Sequence, residues 1–178
     1  MNMKIILFDL GKTLEDRGVL LPGASETLQA IQVMQDAGGE AVAMALVSDF
    51  NMPDRPEQIP AIRQQYYDIL DSLGIRSFFE PVNERVTLST EVGVLKPDEK
   101  IFRAVVEKID GDLSFQSVIF ITENLAHVEA ARALGMTAVH FKGPGQTTGD
   151  IDRLVDLIAI VQAFLRDSTL KSENITPK

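Results

Sequence analysis

The sequence predicts an α/β fold, a three-layer α/β/α sandwich around a mostly parallel sheet. Two observations carry this prediction. Continuous apolar runs of strand length recur along the chain, which is typical of strands buried on both faces of a parallel sheet. Segments with apolar residues at helical spacing alternate with these runs, and glycine follows several of them. This alternation favours helices packed on both faces of one sheet.

The predicted elements follow this alternation in chain order. The segments predicted as strands are short apolar runs, at 4–10, 41–48, 78–82, 117–122 and 137–141. The segments predicted as helices lie between or after them, at 24–39, 63–73, 97–109, 125–134 and 151–165. Ser25 is the expected N-cap of the first helix, with Gly38 and Gly39 as its stop, and Pro97 stands near the start of the third.

Composition excludes several classes of function. The chain has 178 residues, of which 45% are hydrophobic and 24% charged, and a net charge of −9 that argues against a nucleic-acid surface. It has no cysteine, which excludes disulfides, thiol catalysis and cysteine-ligated metals. No apolar run approaches the roughly 20 residues of a membrane span. We therefore expect a soluble, acidic, cytoplasmic protein without a membrane partner.

The segment "ILFDLGKTLED" at 6–16 suggests two kinds of site. A phosphate-binding P-loop requires a glycine five residues before its Gly-Lys-Thr, so that backbone N–H groups can wrap the phosphate. That position is Ile6, inside an apolar run, so the P-loop is excluded. The alternative is a carboxylate, Asp9, at the carboxyl end of a buried strand.

Polar residues stand at the ends of the other predicted strands as well. Ser48 ends the second strand, Thr122 and Glu123 end the fourth, and Lys96 lies in the loop before a helix. Ligands of parallel sheets bind beyond the carboxyl ends of the strands, so these groups and Asp9 are expected to converge on one crevice. Taken singly, an Asp or Ser at a strand end is usually a turn former or helix cap, and a lysine such as Lys96 is more often a solvated charge.

Four ordered motifs resemble those of the haloacid dehalogenase-like (HAD) superfamily. They are "ILFDLGKTL", "ALVSD", "GVLKPDEKIF" and "VIFITENLAHVEAARALGMTAVHF", and the third is the most specific. The resemblance covers nearly the whole chain. It implies a Rossmann-like sheet and a phosphatase-like member of the superfamily.

The resemblance implies a role for each residue at the strand ends. Asp9 would attack phosphorus and form an aspartyl-phosphate. Mg²⁺ would be held by Asp9, the backbone carbonyl of Gly11 and Glu123. Ser48 would donate a hydrogen bond to a phosphate oxygen. Lys96 would pair with both Asp9 and the phosphate. The implied substrate is a phosphorylated small molecule or macromolecule.

The sequence departs from the superfamily pattern at the position of its general acid–base. A second aspartate normally follows the nucleophile by two residues, and that position is Gly11. General acid–base catalysis contributes about 10²–10⁴-fold. From Gly11 alone we expect aryl and acyl phosphates to react better than sugar phosphates, because their leaving oxygen is already a good anion and needs no proton.

Other departures lie in the same motifs. Lys12 replaces a glycine, and either points to solvent or adds positive charge to the pocket. Thr122 replaces Asp or Gly. His127 occupies the place of an acidic or amide residue, either as a capped or solvent-facing side chain or as a metal ligand. His140 is expected to be a structural strand residue.

The spacing of the motifs bears on access to the site. There are 38 residues between Asp9 and Ser48 and 47 between Ser48 and Lys96, too few for an inserted α/β cap domain. We expect one domain, 1–166, without a sizeable cap, and a polar tail at 167–178. The site is then open, and a protein partner could close it. The segment "NMPDRPEQIP" is either a short lid or an exposed spacer.

Two classes of function follow from these residues. The first is a Mg²⁺-dependent phosphoric monoester hydrolase with Asp9 as nucleophile. The second is a degenerate member that keeps the fold for binding or regulation, which the departures at Gly11, Lys12 and Thr122 favour. A dehalogenase is less compatible, since the branch with that activity usually carries a substantial cap.

Overall fold

A five-stranded parallel sheet forms the centre of the computed structural model, which describes residues 3–167. Its strands are, in chain order, β1 (Ile5–Phe8), β4 (Ala43–Ser48), β5 (Val86–Leu88), β6 (Val118–Thr122) and β7 (Thr137–His140). They lie in the order β5-β4-β1-β6-β7, and each neighbouring pair is parallel. A separate antiparallel hairpin contains β2 (Glu15–Asp16) and β3 (Val19–Leu20). The predicted α/β fold is confirmed.

Helices cover both faces of the sheet. They are α1 (Ala24–Gln32), α2 (Ile59–Ser72), α3 (Val82–Arg85), α4 (Ser89–Val92), α5 (Glu99–Ile109), α6 (Leu125–Ala133) and α7 (Leu157–Arg166). Ile6 and Phe8 of β1 pack in one core cluster with residues of α1, α2 and α7, whereas Ile5 and Leu7 pack in a second with residues of α5 and α6. All four side chains are fully buried, which explains the continuous apolar run.

The order of the strands creates a crevice at their carboxyl ends. From β1 the chain passes to β4 and β5 on one side, then crosses to β6 and β7 on the other. The loops after β1, β4 and β6 therefore diverge around the end of the central strand. Such a switch point is where open parallel sheets bind their ligands.

The predicted strand at 78–82 is wrong. Residues Arg76–Phe79 form a 3₁₀ turn, and the edge strand is β5, which pairs with the end of β4. Phe79 is fully buried and its ring packs edge-on against Phe8, with centroids 6.4 Å apart. A short apolar run buries its rings equally well from a turn, so periodicity could not separate the two structures.

Several predicted helix ends also differ. Gly23, with φ 82°, precedes α1 in the N-cap position, so Ser25 lies within the first turn and is not the cap. Helix α1 ends at Gln32, before the expected glycine stop. Helix α7 begins at Leu157, after a 3₁₀ turn. Of the expected tail at 167–178, all but Asp167 lies outside the described residues.

In the part of the chain that the structure describes, no helix has both the length and the apolar character to cross a bilayer.

Candidate active site

Asp9 directly follows β1 at the centre of the crevice. Its backbone N–H donates to the carbonyl of Ile121 at 2.9 Å, which extends the pairing of β1 with β6 by one residue. Its Oδ1 accepts a hydrogen bond from the N–H of Leu10, also at 2.9 Å. The residue is 7% exposed. The sheet and the following turn thus fix the orientation of this carboxylate.

Lys96 approaches Asp9 from the loop before α5. Its Nζ lies 2.7 Å from Asp9 Oδ1, and only 1% of the lysine side chain is exposed. The same Nζ donates to the carbonyl of Val47 at 3.1 Å, and the backbone N–H of Lys96 donates to Asp49 Oδ1 at 2.8 Å. The end of β4 therefore holds the lysine in place beside the carboxylate.

The surroundings of Asp9 favour its ionised form. Burial by itself raises the pKa of the carboxyl group, but the charge of Lys96 and hydrogen bonds to the side chain outweigh it. The resulting pKa lies below the ordinary value of 3.8. Asp9 is therefore an anion at neutral pH, the state that a carboxylate nucleophile requires.

A single threonine hydroxyl connects Asp9 with Glu123. Thr122 Oγ1 lies 3.1 Å from Asp9 Oδ2 and 3.3 Å from Glu123 Oε2. On the other side, Thr13 Oγ1 donates to Glu123 Oε2 at 2.7 Å and accepts from the Glu123 N–H at 3.2 Å. Both threonines are fully buried. The two carboxylates of the predicted metal site thus meet at one hydroxyl group.

Hydrogen bonds also fix the backbone of Glu123. The carbonyl of Glu123 accepts hydrogen bonds from His140 Nε2 at 3.0 Å and Gln146 Nε2 at 2.7 Å. A Cβ on Gly143 would lie 2.8 Å from both Glu123 Cβ and the carbonyl oxygen of Lys12, so only glycine fits there. His140 ends β7, and its ring serves this structural purpose.

Ser48 has a partner that sequence reasoning missed. Its Oγ lies 2.6 Å from the hydroxyl of Tyr66, which projects from α2. Tyr66 is 1% exposed, and its ring packs edge-on against Phe50 with centroids 5.1 Å apart. Burial raises the pKa of Tyr66, so the phenol stays protonated. Tyr66 fixes the hydroxyl of Ser48 at the end of β4.

His127 faces the carboxylate of Asp9. The residue is 9% exposed, so the expectation of a solvent-facing side chain is wrong. Its Nδ1 lies 3.8 Å from Asp9 Oδ2, is buried and has no hydrogen-bond partner in the described structure. Lys12, by contrast, is exposed, with φ 57°.

Asp9, Ser48, Lys96, Glu123 and His127 line one cavity of about 360 Å³ at the carboxyl ends of the strands. Its walls contain Asp9, Leu10, Gly11, Glu15, Ser48, Asp49, Phe50, Tyr66, Ile69, Lys96, Glu123, Asn124 and His127. Every residue predicted for the site is therefore brought together. Glu15, Thr13 and Tyr66 were not predicted as site residues.

The donor set fits Mg²⁺. The carboxylates of Asp9 and Glu123 and the carbonyl of Gly11 are hard oxygen ligands, and Mg²⁺ typically completes its octahedron with water and substrate oxygens. Within residues 3–167 no hydrogen bond ends on the Gly11 carbonyl. Nor do those residues contain a cluster of three or more His, Cys, Asp or Glu side chains arranged for a metal. This set suits a metal that keeps several waters and not one held by an all-protein cage.

Comparison with known proteins gives the same fold. The chain is 26% identical over 140 residues to the sesquiterpene phosphatase astK of Aspergillus oryzae, which covers 78% of this chain. A structure of the candidate HAD-hydrolase YfnB from Bacillus subtilis bound to magnesium covers 80% of the chain with a TM-score of 0.60 at 17% identity. A HAD family hydrolase from Deinococcus radiodurans, with bound phosphate and sodium, covers 84% with a TM-score of 0.56 at 19% identity. No family model matches the chain.

These three proteins are longer than this chain. The matched part spans 60% of the Aspergillus phosphatase, 56% of the Bacillus protein and 62% of the Deinococcus hydrolase. At these sequence identities the structural likeness establishes the fold. That fold is the one that these haloacid dehalogenase-like hydrolases share, and it agrees with the resemblance carried by the four motifs.

Proposed function

We propose that this chain is a Mg²⁺-dependent phosphoric monoester hydrolase that acts through an aspartyl-phosphate on Asp9. The observation that carries the proposal is the buried, ionised carboxylate of Asp9, 2.7 Å from the Nζ of Lys96 at the end of the central strand. A buried carboxylate with a depressed pKa in a cleft is characteristic of functional sites.

The residues around Asp9 suit phosphoryl transfer, which depends on positioning and on neutralising charge around the phosphate. Asp9 attacks phosphorus, and Lys96 offsets the repulsion between this carboxylate and the anionic substrate. Ser48, held by Tyr66, donates a hydrogen bond to a phosphate oxygen. Bound to Asp9, Glu123 and the Gly11 carbonyl, Mg²⁺ would supply further positive charge to the phosphate.

The comparisons support a phosphatase in two ways. The Deinococcus hydrolase, which has a similar fold, holds bound phosphate. The Aspergillus protein, which has a similar sequence, is a sesquiterpene phosphatase. Magnesium is bound by the Bacillus protein.

The alternative is a degenerate protein that binds a phosphorylated ligand or partner without turnover. Gly11 favours this reading, because it removes the carboxylate that usually assists the leaving group. The two readings differ in a single-turnover experiment with phenyl phosphate. A phosphatase releases phenol in the presence of Mg²⁺ and stops when a chelator is added, whereas a binding protein releases none under either condition.

Exposed apolar side chains in the segments that adjoin the site residues along the chain suggest the class of substrate. Among the described residues, five large apolar side chains are exposed, and four of them belong to segments near the strand ends. These four are Val19 in the hairpin after β1, Met52 after β4, Leu95 beside Lys96 and Leu125 after Glu123. We propose that this apolar rim contacts the organic group of an apolar phosphomonoester, in keeping with the terpene substrate class of the Aspergillus relative.

Octyl and ethyl phosphate test the apolar rim, because both leave as primary alkoxides. We expect a higher kcat/KM for octyl phosphate and a roughly 5- to 30-fold loss of that advantage in Leu125→Ser, from about 1–2 kcal/mol of lost apolar contact. Val33→Ser is the matched control, since Val33 is 80% exposed but caps the far end of α1. Equal kcat/KM values for the two esters in the unmodified protein would contradict the apolar substrate class.

A further inference from the structure

Glu15 lies beside the position that Gly11 leaves without a side chain. A Cβ placed on Gly11 would be 3.8 Å from Glu15 Oε1, and both residues line the cavity that contains Asp9. We propose that Glu15 is the general acid–base of this site, in place of a carboxylate at position 11. This assignment rests on the phosphatase function proposed above.

The fold of the segment explains why the two positions are neighbours. After β1 the chain makes a tight turn, in which Lys12 has φ 57° and the N–H groups of Leu14 and Glu15 point to the carbonyl of Leu10 at 2.8 and 3.2 Å. The N–H of Lys12 then donates to the carbonyl of Glu15 at 2.6 Å. Gly11 and Glu15 are thereby joined in a β-bridge. Glu15 therefore returns over Gly11.

The carboxylate of Glu15 is oriented by one of its two oxygens. Oε2 accepts a hydrogen bond from the N–H of Gly18 at 2.8 Å, within the hairpin formed by β2 and β3. No hydrogen bond among the described residues ends on Oε1, which is the oxygen nearest to the gap at Gly11. One oxygen is thus anchored, and the other is available to a ligand.

The other nearby carboxylates are less suited to this role. Asp49 also lines the cavity, but its Oδ1 accepts the backbone N–H of Lys96 and so supports the lysine. Asp16 does not line the cavity, and its carboxylate lies 4.0 Å from the guanidinium of Arg17. Among the described residues, Glu15 is the only one outside the neighbours of Gly11 that comes within 4 Å of the position of such a Cβ.

The proposed role accounts for both halves of the reaction. As an Asp9 oxygen bonds to phosphorus, the bond from phosphorus to the ester oxygen breaks, and protonated Glu15 gives its proton to that oxygen, which leaves as an alcohol. The Glu15 carboxylate then takes a proton from water while the water oxygen attacks phosphorus. The bond to Asp9 breaks, inorganic phosphate leaves, and Glu15 is protonated again.

Phenyl and benzyl phosphate test this assignment, because they have similar size and polarity but phenol is a much stronger acid than benzyl alcohol. The readout is the single-turnover rate of phenol or alcohol release in the presence of Mg²⁺. In Glu15→Gln we expect the benzyl rate to fall by about 10²–10⁴-fold and the phenyl rate to fall much less. The aspartyl-phosphate should then accumulate, because the water lacks its base.

A rescue variant separates chemistry from structural damage. The Gly11→Asp substitution in the Glu15→Gln background should restore much of the benzyl rate, since Gly11 is not among the residues with positive φ and its Cβ would meet nothing closer than 3.8 Å. Asp16→Asn is the matched control in the same hairpin and should leave both rates unchanged.

Two results would overturn the role of Glu15. One is an equal loss for both esters in Glu15→Gln, and the other is no loss for either. Failure of the unmodified protein to release phenol or to form a phosphoenzyme is a different result, because it overturns the proposed phosphatase function and this assignment with it. If Glu15 supplies the proton, the unmodified protein should not require a good leaving group. Only the Glu15→Gln variant should prefer phenyl over benzyl phosphate strongly.

Discussion

Lys96 Nζ lies 2.7 Å from Asp9 Oδ1 in a position where almost none of the lysine side chain reaches solvent. Burying two charges costs free energy that their attraction does not reliably recover, so such a pair is weak evidence for stability alone. Its position at the end of the central strand, among Ser48, Glu123 and His127, is better explained by chemistry at this carboxylate.

Asp9→Asn should abolish metal-dependent turnover, because the amide keeps the shape of the carboxylate but is not a nucleophile. We expect a loss of roughly 10³-fold or more in kcat for phenyl phosphate. Asp16→Asn, in the neighbouring hairpin, is the control and should keep its activity. Full metal-dependent turnover by the Asp9 variant would exclude this residue as the nucleophile.

The depressed pKa of Asp9 predicts how the stability of the fold depends on pH. Because the folded-state pKa of Asp9 lies below its ordinary value of 3.8, ionised Asp9 stabilises the folded protein at pH values above that figure. This contribution is lost as the pH falls through the lower folded-state value. The difference in Tm between the unmodified protein and Asp9→Asn should therefore change as the pH falls below about 4. A difference that stays the same from about pH 5 to about pH 2 would contradict the assigned pKa direction.

Glu123→Gln should weaken Mg²⁺ binding and leave the fold nearly unchanged. The glutamine amide oxygen can still accept the hydrogen bonds from Thr13 and Thr122, but the negative charge on the metal ligand is lost. We expect the affinity for Mg²⁺ to fall roughly tenfold or more in a calorimetric titration. Glu129→Gln is the control, because Glu129 is exposed on α6, the helix that follows Glu123. An unchanged titration in Glu123→Gln would refute this ligand.

Gly143→Ala should disturb the proposed metal site by displacing Glu123. The new Cβ would lie 2.8 Å from Glu123 Cβ and from the carbonyl oxygen of Lys12, so the loop that carries Glu123 must shift. We expect a loss of about 1–3 kcal/mol in the free energy of unfolding and weaker Mg²⁺ binding. At Gly111 an added Cβ meets nothing within 4 Å, so Gly111→Ala should leave Mg²⁺ binding unchanged. Equal Mg²⁺ affinities in the two variants would show that the close contact at Gly143 does not position Glu123.

Much of the fold could be predicted because the central strands are buried on both faces. A strand such as β1 needs apolar residues at every position, and that pattern is visible without a structure. The segment at 78–82 shows the limit of this signal. Its phenylalanines are apolar because the turn at Arg76–Phe79 also packs into the core, and the true edge strand, Val86–Leu88, has only three residues.

The site was predicted where its residues stand at strand ends, as Asp9, Ser48 and Glu123 do. Glu15 was missed because its place depends on a tight turn and a β-bridge that bring it beside Gly11, and no periodic pattern in the sequence predicts them. Tyr66 was missed for a different reason. It lies on the buried face of α2, where an aromatic residue indicates core packing, and only the structure places its hydroxyl 2.6 Å from Ser48.

The central claim is that Asp9 carries the phosphoryl group during turnover, and trapping that intermediate tests it most directly. The protein is mixed with phenyl phosphate and Mg²⁺, quenched in acid within one turnover and analysed by mass spectrometry of its peptides. The account predicts one added phosphoryl group on the peptide that contains Asp9, absent in Asp9→Asn and absent when a chelator replaces Mg²⁺. Release of phenol without any phosphoryl group on Asp9, or with the group on another residue, would contradict it.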